Sequence, residues 1–147
     1  MLQAQRRTIT PDDFEQRWRR SAAALQAQGV GDGDVVALLM RNSPQAVELM
    51  VATRHLGAQW CPVNWHFLTD EVQYILANSG ARVLVADDAL LGALHGLNTA
   101  GLQLFTTAQW QALRDATPAI EAQAETSDKP ASRLVAVLRL QARCRLR

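Results

Sequence analysis

Glycine and lysine run out early in this chain. Of its 147 residues only 8 are glycine, the last being Gly101, and the sole lysine is Lys129. A glycine-rich phosphate loop crowds backbone N–H groups around an anion and usually sets a Lys or Arg beside them. Residues 102–147 contain no glycine, so that stretch offers no such loop. Cysteine is also scarce. Cys61 and Cys144 sit in unlike contexts without metal-ligand spacing, which argues against a disulfide framework and fits a reducing cytoplasm. No apolar run approaches the ~20 residues that cross a bilayer. The first ten residues are polar and lack the apolar core of a signal peptide.

What remains is globular in composition. Hydrophobic residues make up 48% and charged residues 20%, and the length suits one domain with a real core. The net charge of +1 hides an asymmetry. Residues 1–128 carry 9 basic and 14 acidic side chains, a net of −5, whereas residues 129–147 carry 6 basic and no acidic ones, a net of +6. The body is mildly acidic and the tail wholly basic.

Hydrophobic periodicity divides the body into alternating helices and strands. Thr10-Pro11-Asp12-Asp13 is a helix start, with Thr at the N-cap, Pro at N1 and carboxylates in the first turn. Phe14, Trp18, Ala22 and Leu25 follow at helical spacing, which assigns Arg17, Arg19 and Arg20 to the wetter face. Gly29 ends this helix. Residues 35–40 form a continuous apolar run, as in a parallel strand covered on both faces.

Ser43-Pro44 caps a second helix whose packing positions read as Val47, Met50, Val51 and Arg54, with Gly57 at C′. Residues 59–63 make a second strand. Thr69-Asp70-Glu71 opens a third helix that packs through Val72, Ile75 and Leu76 and stops at Gly80. Residues 82–86 make a third strand, and Asp87-Asp88 starts a short helix running to about His95. Residues 103–106 and 107–116 complete the series as a strand and a helix containing Trp110. Short loops between alternating elements imply parallel βαβ units with right-handed crossovers. The expected fold is therefore α/β, with a mainly parallel sheet and helices on both faces. The expected organisation is an α/β region over 8–116, a linker over 117–130 and a basic tail over 131–147.

The order of several short motifs is informative. Ala24-Leu25, Gly29-Val30 and Gly33-Asp34-Val35-Val36-Ala37 come first, then Arg41-Asn42-Ser43-Pro44 and Leu56-Gly57-Ala58. Pro62-Val63-Asn64-Trp65, Glu71, Tyr74-Ile75-Leu76 and Ser79-Gly80-Ala81-Arg82-Val83-Leu84-Val85 follow. In this order residues 8–115 resemble the N-terminal part of the AMP-forming acyl-CoA synthetases, the adenylate-forming superfamily. The run Asn64-Trp65-His66-Phe67 is most similar to its fatty-acyl and related carboxylate–CoA ligases.

The resemblance implies a two-step reaction. A carboxylate attacks the α-phosphate of Mg·ATP, and coenzyme A then displaces AMP from the acyl-adenylate. It also implies that the family's phosphate loop, adenine and metal motif and lid lysine fall later than this chain reaches. Thr126-Ser127-Asp128-Lys129-Pro130 stands near the phosphate-loop position but has no glycine, and its Lys precedes Pro. The chain is thus expected to be truncated before that loop and to be inactive alone. No residue is assigned a catalytic, cofactor-binding or metal-binding role; ATP, Mg and coenzyme A belong to the family rather than to this chain. From about residue 129 the sequence departs from the family, as an out-of-frame extension after a frameshift would, or as a short basic helix.

Individual polar residues read as structural. His66, between Trp65 and Phe67, is expected to be packed and hydrogen-bonded in an aromatic turn, since no carboxylate or nucleophile stands at motif spacing. His55 and His95 fall near helix ends. Asp87-Asp88 reads as a helix start rather than a cation site, and Asp32 and Asp34 as shaping the turn around Gly31 and Gly33. Those glycines follow a helix and open a strand, the reverse of a dinucleotide fingerprint. The basic tail lacks the interleaved aromatics of a single-strand binding surface, so a solvated end without a nucleic-acid partner is expected. A different class of function stays open: a non-catalytic module that binds a full-length ligase, or its missing half, through an exposed apolar patch.

Overall fold

The computed structural model describes residues 8–121. The remainder of the expected linker and the basic tail, with Lys129 and Cys144, lie outside the described residues. Nine elements alternate: α1 (Pro11–Ala27), β1 (Val35–Leu39), α2 (Pro44–His55), β2 (Gln59–Pro62), α3 (Thr69–Ser79), β3 (Val83–Ala86), α4 (Asp88–Ala93), β4 (Gln103–Thr106) and α5 (Thr107–Ala116). Local chemistry sets most of these limits. The Thr10 hydroxyl accepts from the Asp13 N–H at 3.1 Å, and Gly80 closes α3 in the left-handed region at φ 64°, where a Cβ would be strained. The fourth helix stops at Ala93, two residues short of the sequence expectation.

All three strand pairings are parallel, in the order β2-β1-β3-β4. The two faces follow the period-two alternation of a strand. Val36, Leu38, Val83 and Val85 pack with Leu25, Leu49, Ala52 and Trp110 from α1, α2 and α5. Ala37, Leu39, Leu84 and Ala86 pack on the other side with Val72 and Leu76 of α3 and against Leu90 and Leu91 of α4. The crossover from β1 to β2 moves one way along the sheet and those to β3 and β4 move the other way. Their helices lie on opposite faces, as right-handed crossovers require. Among the described residues no helix is long and apolar enough to cross a membrane.

Two helix faces differ from the sequence reading. Arg17, Arg19 and Arg20 are half-buried rather than on a wet face, because α1 is flanked by both α2 and α5. Arg19 pairs with Glu15 and its guanidinium lies 5.8 Å from the Trp18 ring centre. On α2, Val47 is 50% exposed whereas Glu48 is 1% exposed. That helix buries Ala46, Glu48, Leu49, Ala52 and Thr53, a face rotated away from Val47, Val51 and Arg54.

Candidate functional site

In a doubly wound sheet the ligand crevice lies beyond the carboxyl ends of the strands, where the strand order reverses. Here that point falls between β1 and β3. Arg41, two residues past β1, reaches Asp87, the first residue past β3, with Nη1 3.8 Å from Oδ2. The Asp87 N–H also donates to the Leu39 carbonyl at 2.8 Å, so side chain and backbone both close the strand ends. The Arg41 guanidinium lies 5.1 Å from the Trp65 ring centre, within cation–π range. Trp65 in turn stacks on His66 at 3.5 Å between centroids, tilted by 31°.

His66 is therefore held by Trp65, but it is exposed rather than packed away. Its hydrogen bond is made by its backbone N–H, which donates to Asn64 Oδ1 at 3.0 Å. The loop from β2 to α3 leaves the sheet at its carboxyl edge and has little covering it, hence the exposure. Farther along the same edge, Thr107 Oγ1 donates to Asp88 Oδ2 at 3.3 Å, and Gln45 Nε2 donates to the Thr107 carbonyl at 3.1 Å.

A cleft of about 300 Å³ opens beside Trp65. It is lined by Leu39 of β1, by Trp65, Phe67 and Leu68 of the β2–α3 loop, by Leu90 of α4 and by Leu94 just past it, with Thr69 and Asp70 as its polar residues. Leu68 is 74% exposed and Trp65 41% exposed.

Helices α2 to α5 each start at this edge, where partial positive charge favours anions. Side chains already meet those amides. Ser43 Oγ accepts from Ala46, Asp87 Oδ1 from Ala89 and Thr106 Oγ1 from Gln109, while Glu71 Oε2 accepts from the Leu68 N–H. Asp87 is thus a helix cap, as its sequence position suggests. Asp34 closes its own turn by accepting from the Gly31 N–H at 2.8 Å and is held by Arg82 at 3.2 Å. His55 is the last residue of α2, 5.1 Å from the Trp18 ring, and His95 is exposed just beyond α4. Among the described residues no three His, Cys, Asp or Glu side chains are grouped to hold a metal ion.

A second polar cluster has no counterpart in the sequence reading. The buried Glu48 carboxylate accepts from Ser21 Oγ on α1 and from Arg114 Nη1 on α5 at 2.9 Å. Trp110 Nε1 donates to the same Ser21 oxygen at 3.2 Å, and Arg114 Nε donates to Asp115 at 2.8 Å. Burial pushes the Glu48 carboxyl above its ordinary value, against the opposing pull of Ser21 and Arg114. Burial works against the Arg114 charge, yet Asp115 and Glu48 together more than offset it. Cys61 is likewise raised by burial, with the Ser79 hydroxyl opposing. No local signal marks Glu48, because its partners lie 27 and 66 positions away. The cluster ties three helices together.

Comparison with known proteins agrees with this architecture. The sequence model of the family described as AMP-binding enzyme matches residues 1–142. The medium/long-chain-fatty-acid–CoA ligase FadD6 of Mycobacterium tuberculosis is 38% identical over 86 residues, 58% of this chain and 14% of that protein. A benzoate CoA ligase from Burkholderia xenovorans LB400 superposes with a TM-score of 0.71 at 27% identity, over 80% of this chain and 25% of that one. The N-terminal domain of FACL13 from Mycobacterium tuberculosis superposes at 0.69 and 26% identity, over 78% of this chain and 31% of the domain. The chain therefore spans about a third or less of each of these three relatives. It belongs to the AMP-binding enzyme family.

Proposed function

We propose that this chain is the N-terminal α/β part of an ATP-dependent, AMP-forming carboxylate–CoA ligase acting on a fatty acid or related carboxylate, and that it does not catalyse ligation alone. The observation that carries the reading is the family match over residues 1–142, supported by a parallel sheet shared with acyl- and aryl-CoA ligases. Inactivity rests on charge. Phosphoryl chemistry needs preorganised positive groups around the transferring oxygens. Here Arg41 is engaged by Asp87 and Trp65, and the helix N-termini at the same edge are capped by the chain's own side chains. The described residues do not fit a magnesium triphosphate, so no step is routed through one. ATP, magnesium and coenzyme A would be held by the rest of a complete ligase.

In this reading the carboxyl edge is a braced platform. Arg41 and Asp87 hold the ends of β1 and β3 together, and Trp65 and Leu68 present apolar surface beside them. That exposed surface favours a second reading, a non-catalytic module that associates with a ligase chain. A cytoplasmic setting belongs to the same proposal, since Cys61 is a free buried thiol in a strand. Calorimetry and thermal shift of the purified chain with millimolar ATP, and with an acyl-adenylate analogue, test the proposal. No heat and no shift are expected. Saturable, magnesium-dependent binding would overturn it, with Lys129 the first residue to substitute.

A further inference from the structure

Residues 64–68 run along the carboxyl edge of the sheet, between a backbone bond to β1 and the first turn of α3. The Val63 N–H donates to the Leu38 carbonyl at 2.8 Å, and the Val72 N–H to the Leu68 carbonyl at 3.0 Å. Between these points the hydrogen bonds are local. Asn64 accepts from the His66 N–H through Oδ1 at 3.0 Å and from the Phe67 N–H through its carbonyl at 3.0 Å. The Leu68 N–H donates to Glu71 Oε2 at 2.8 Å. These bonds shape the segment without tying it to a strand.

Phe67 and Trp65 link it to the rest of the body. Phe67 packs on the apolar cluster that includes Leu39 and Val72. Trp65 lies 5.1 Å from the Arg41 guanidinium, which is itself steadied by Asp87 at 3.8 Å. Leu68 leaves most of its side chain in water. Together with Leu90 and Leu94 the segment lines a cleft onto which Leu39 faces, yet Leu39 is only 2% exposed. Segments with local hydrogen bonds and few anchors open at less cost than global unfolding.

We propose that residues 64–68 form a strap along this cleft, latched at Trp65 by Arg41, which opens as a unit while the sheet stays closed. Arg41 is then a positioning residue that acts through Trp65. Its planar guanidinium suits an aromatic face better than an ammonium does. Opening carries Trp65 away from Arg41 and lets solvent reach Leu94 across the cleft. The strap is independent of the ligase reading, and the ATP titration leaves it untouched.

Amide hydrogen exchange of the full-length chain, read by mass on the peptide spanning 64–68, tests the latch. Arg41→Ala and Trp65→Leu each remove the contact and should speed that exchange roughly threefold, as expected for one exposed cation–π contact. Arg41→Lys should fall between Arg41→Ala and wild type, and exchange in β1 and β3 should keep the wild-type rate. The double variant should exchange no faster than either single one, because both remove the same interaction. In a Leu94→Cys background, alkylation at that position by N-ethylmaleimide should rise by the same factor with Arg41→Ala; Cys61 is buried, and peptide mapping keeps the thiols apart. Exchange at 64–68 or alkylation at position 94 that ignores Arg41→Ala overturns the proposal. Multiplicative effects in the double variant also overturn it, as does a matching rise in β1 and β3, which would mark global opening.

Discussion

Arg114 on α5 donates a 2.9 Å hydrogen bond to Glu48 on α2, and the two side chains are 6% and 1% exposed. With Ser21 and Trp110 they join three helices on one face of the sheet. Removing one member leaves a buried charge uncompensated. Arg114→Met should therefore destabilise the fold by about 3–5 kcal/mol, whereas pairing it with Glu48→Leu should recover most of that loss. Urea unfolding of the single and double variants measures both, and a double variant no better than Arg114→Met would refute the account.

The same carboxyl makes stability depend on pH. Its native value is raised, chiefly by burial, so the folded chain binds this proton more tightly than the unfolded chain, where Glu titrates near about 4.3. The contribution is fully present below that value and is lost as pH rises through the raised native value. Melting temperatures of wild type and Glu48→Gln from pH 4 upward should show wild type losing ground relative to the variant. If wild type gained instead, attraction to Arg114 would outweigh desolvation.

Asp87 has two separable roles. Its side chain caps α4 through the Ala89 N–H at 3.2 Å and pairs with the half-exposed Arg41. Asp87→Ala should cost about 1 kcal/mol through the lost cap. Asp87→Asn keeps the cap and loses only an exposed ion pair, for which about 0.5 kcal/mol is expected. Both variants lose the ion pair, so equal denaturant midpoints would make that pair, rather than the cap, the principal brace.

Two glycines should respond oppositely to alanine. Gly80 sits at φ 64° with open space around it, so Gly80→Ala is strained by backbone alone and should cost about 1 kcal/mol. Gly92 lies within α4, also with nothing within 4 Å, and Gly92→Ala should stabilise by about 0.5 kcal/mol. Thermal melts of the two variants check the signs.

Much of the secondary structure was legible because its signals are local. Thr10-Pro11, Ser43-Pro44 and Asp87 mark helix starts through caps that reach two or three residues, and Gly80 marks an end through its own φ. The uninterrupted apolar runs at 35–40 and 82–86 read as parallel strands because such strands are covered on both faces. The candidate site was less legible. His66 had an aromatic neighbour in the sequence, but its exposure depends on how little covers the β2–α3 loop. Arg41 and Asp87 meet only because β1 and β3 are adjacent.

Sequence by itself determined the alternation of elements, the parallel sheet and the kinship, since each follows from periodicity, caps and motif order along a contiguous stretch. Tertiary structure alone decided which side of α2 faces inward. Its hydrophobic pattern favoured Val47, yet Val47 is outside and Glu48 within. The reason is that α1 and α5 bring Ser21 and Arg114 to one point, and a carboxylate so partnered can be buried where an unpartnered one cannot. No window of neighbouring residues contains that information, because the groups that satisfy Glu48 lie 27 positions before it and 66 after it.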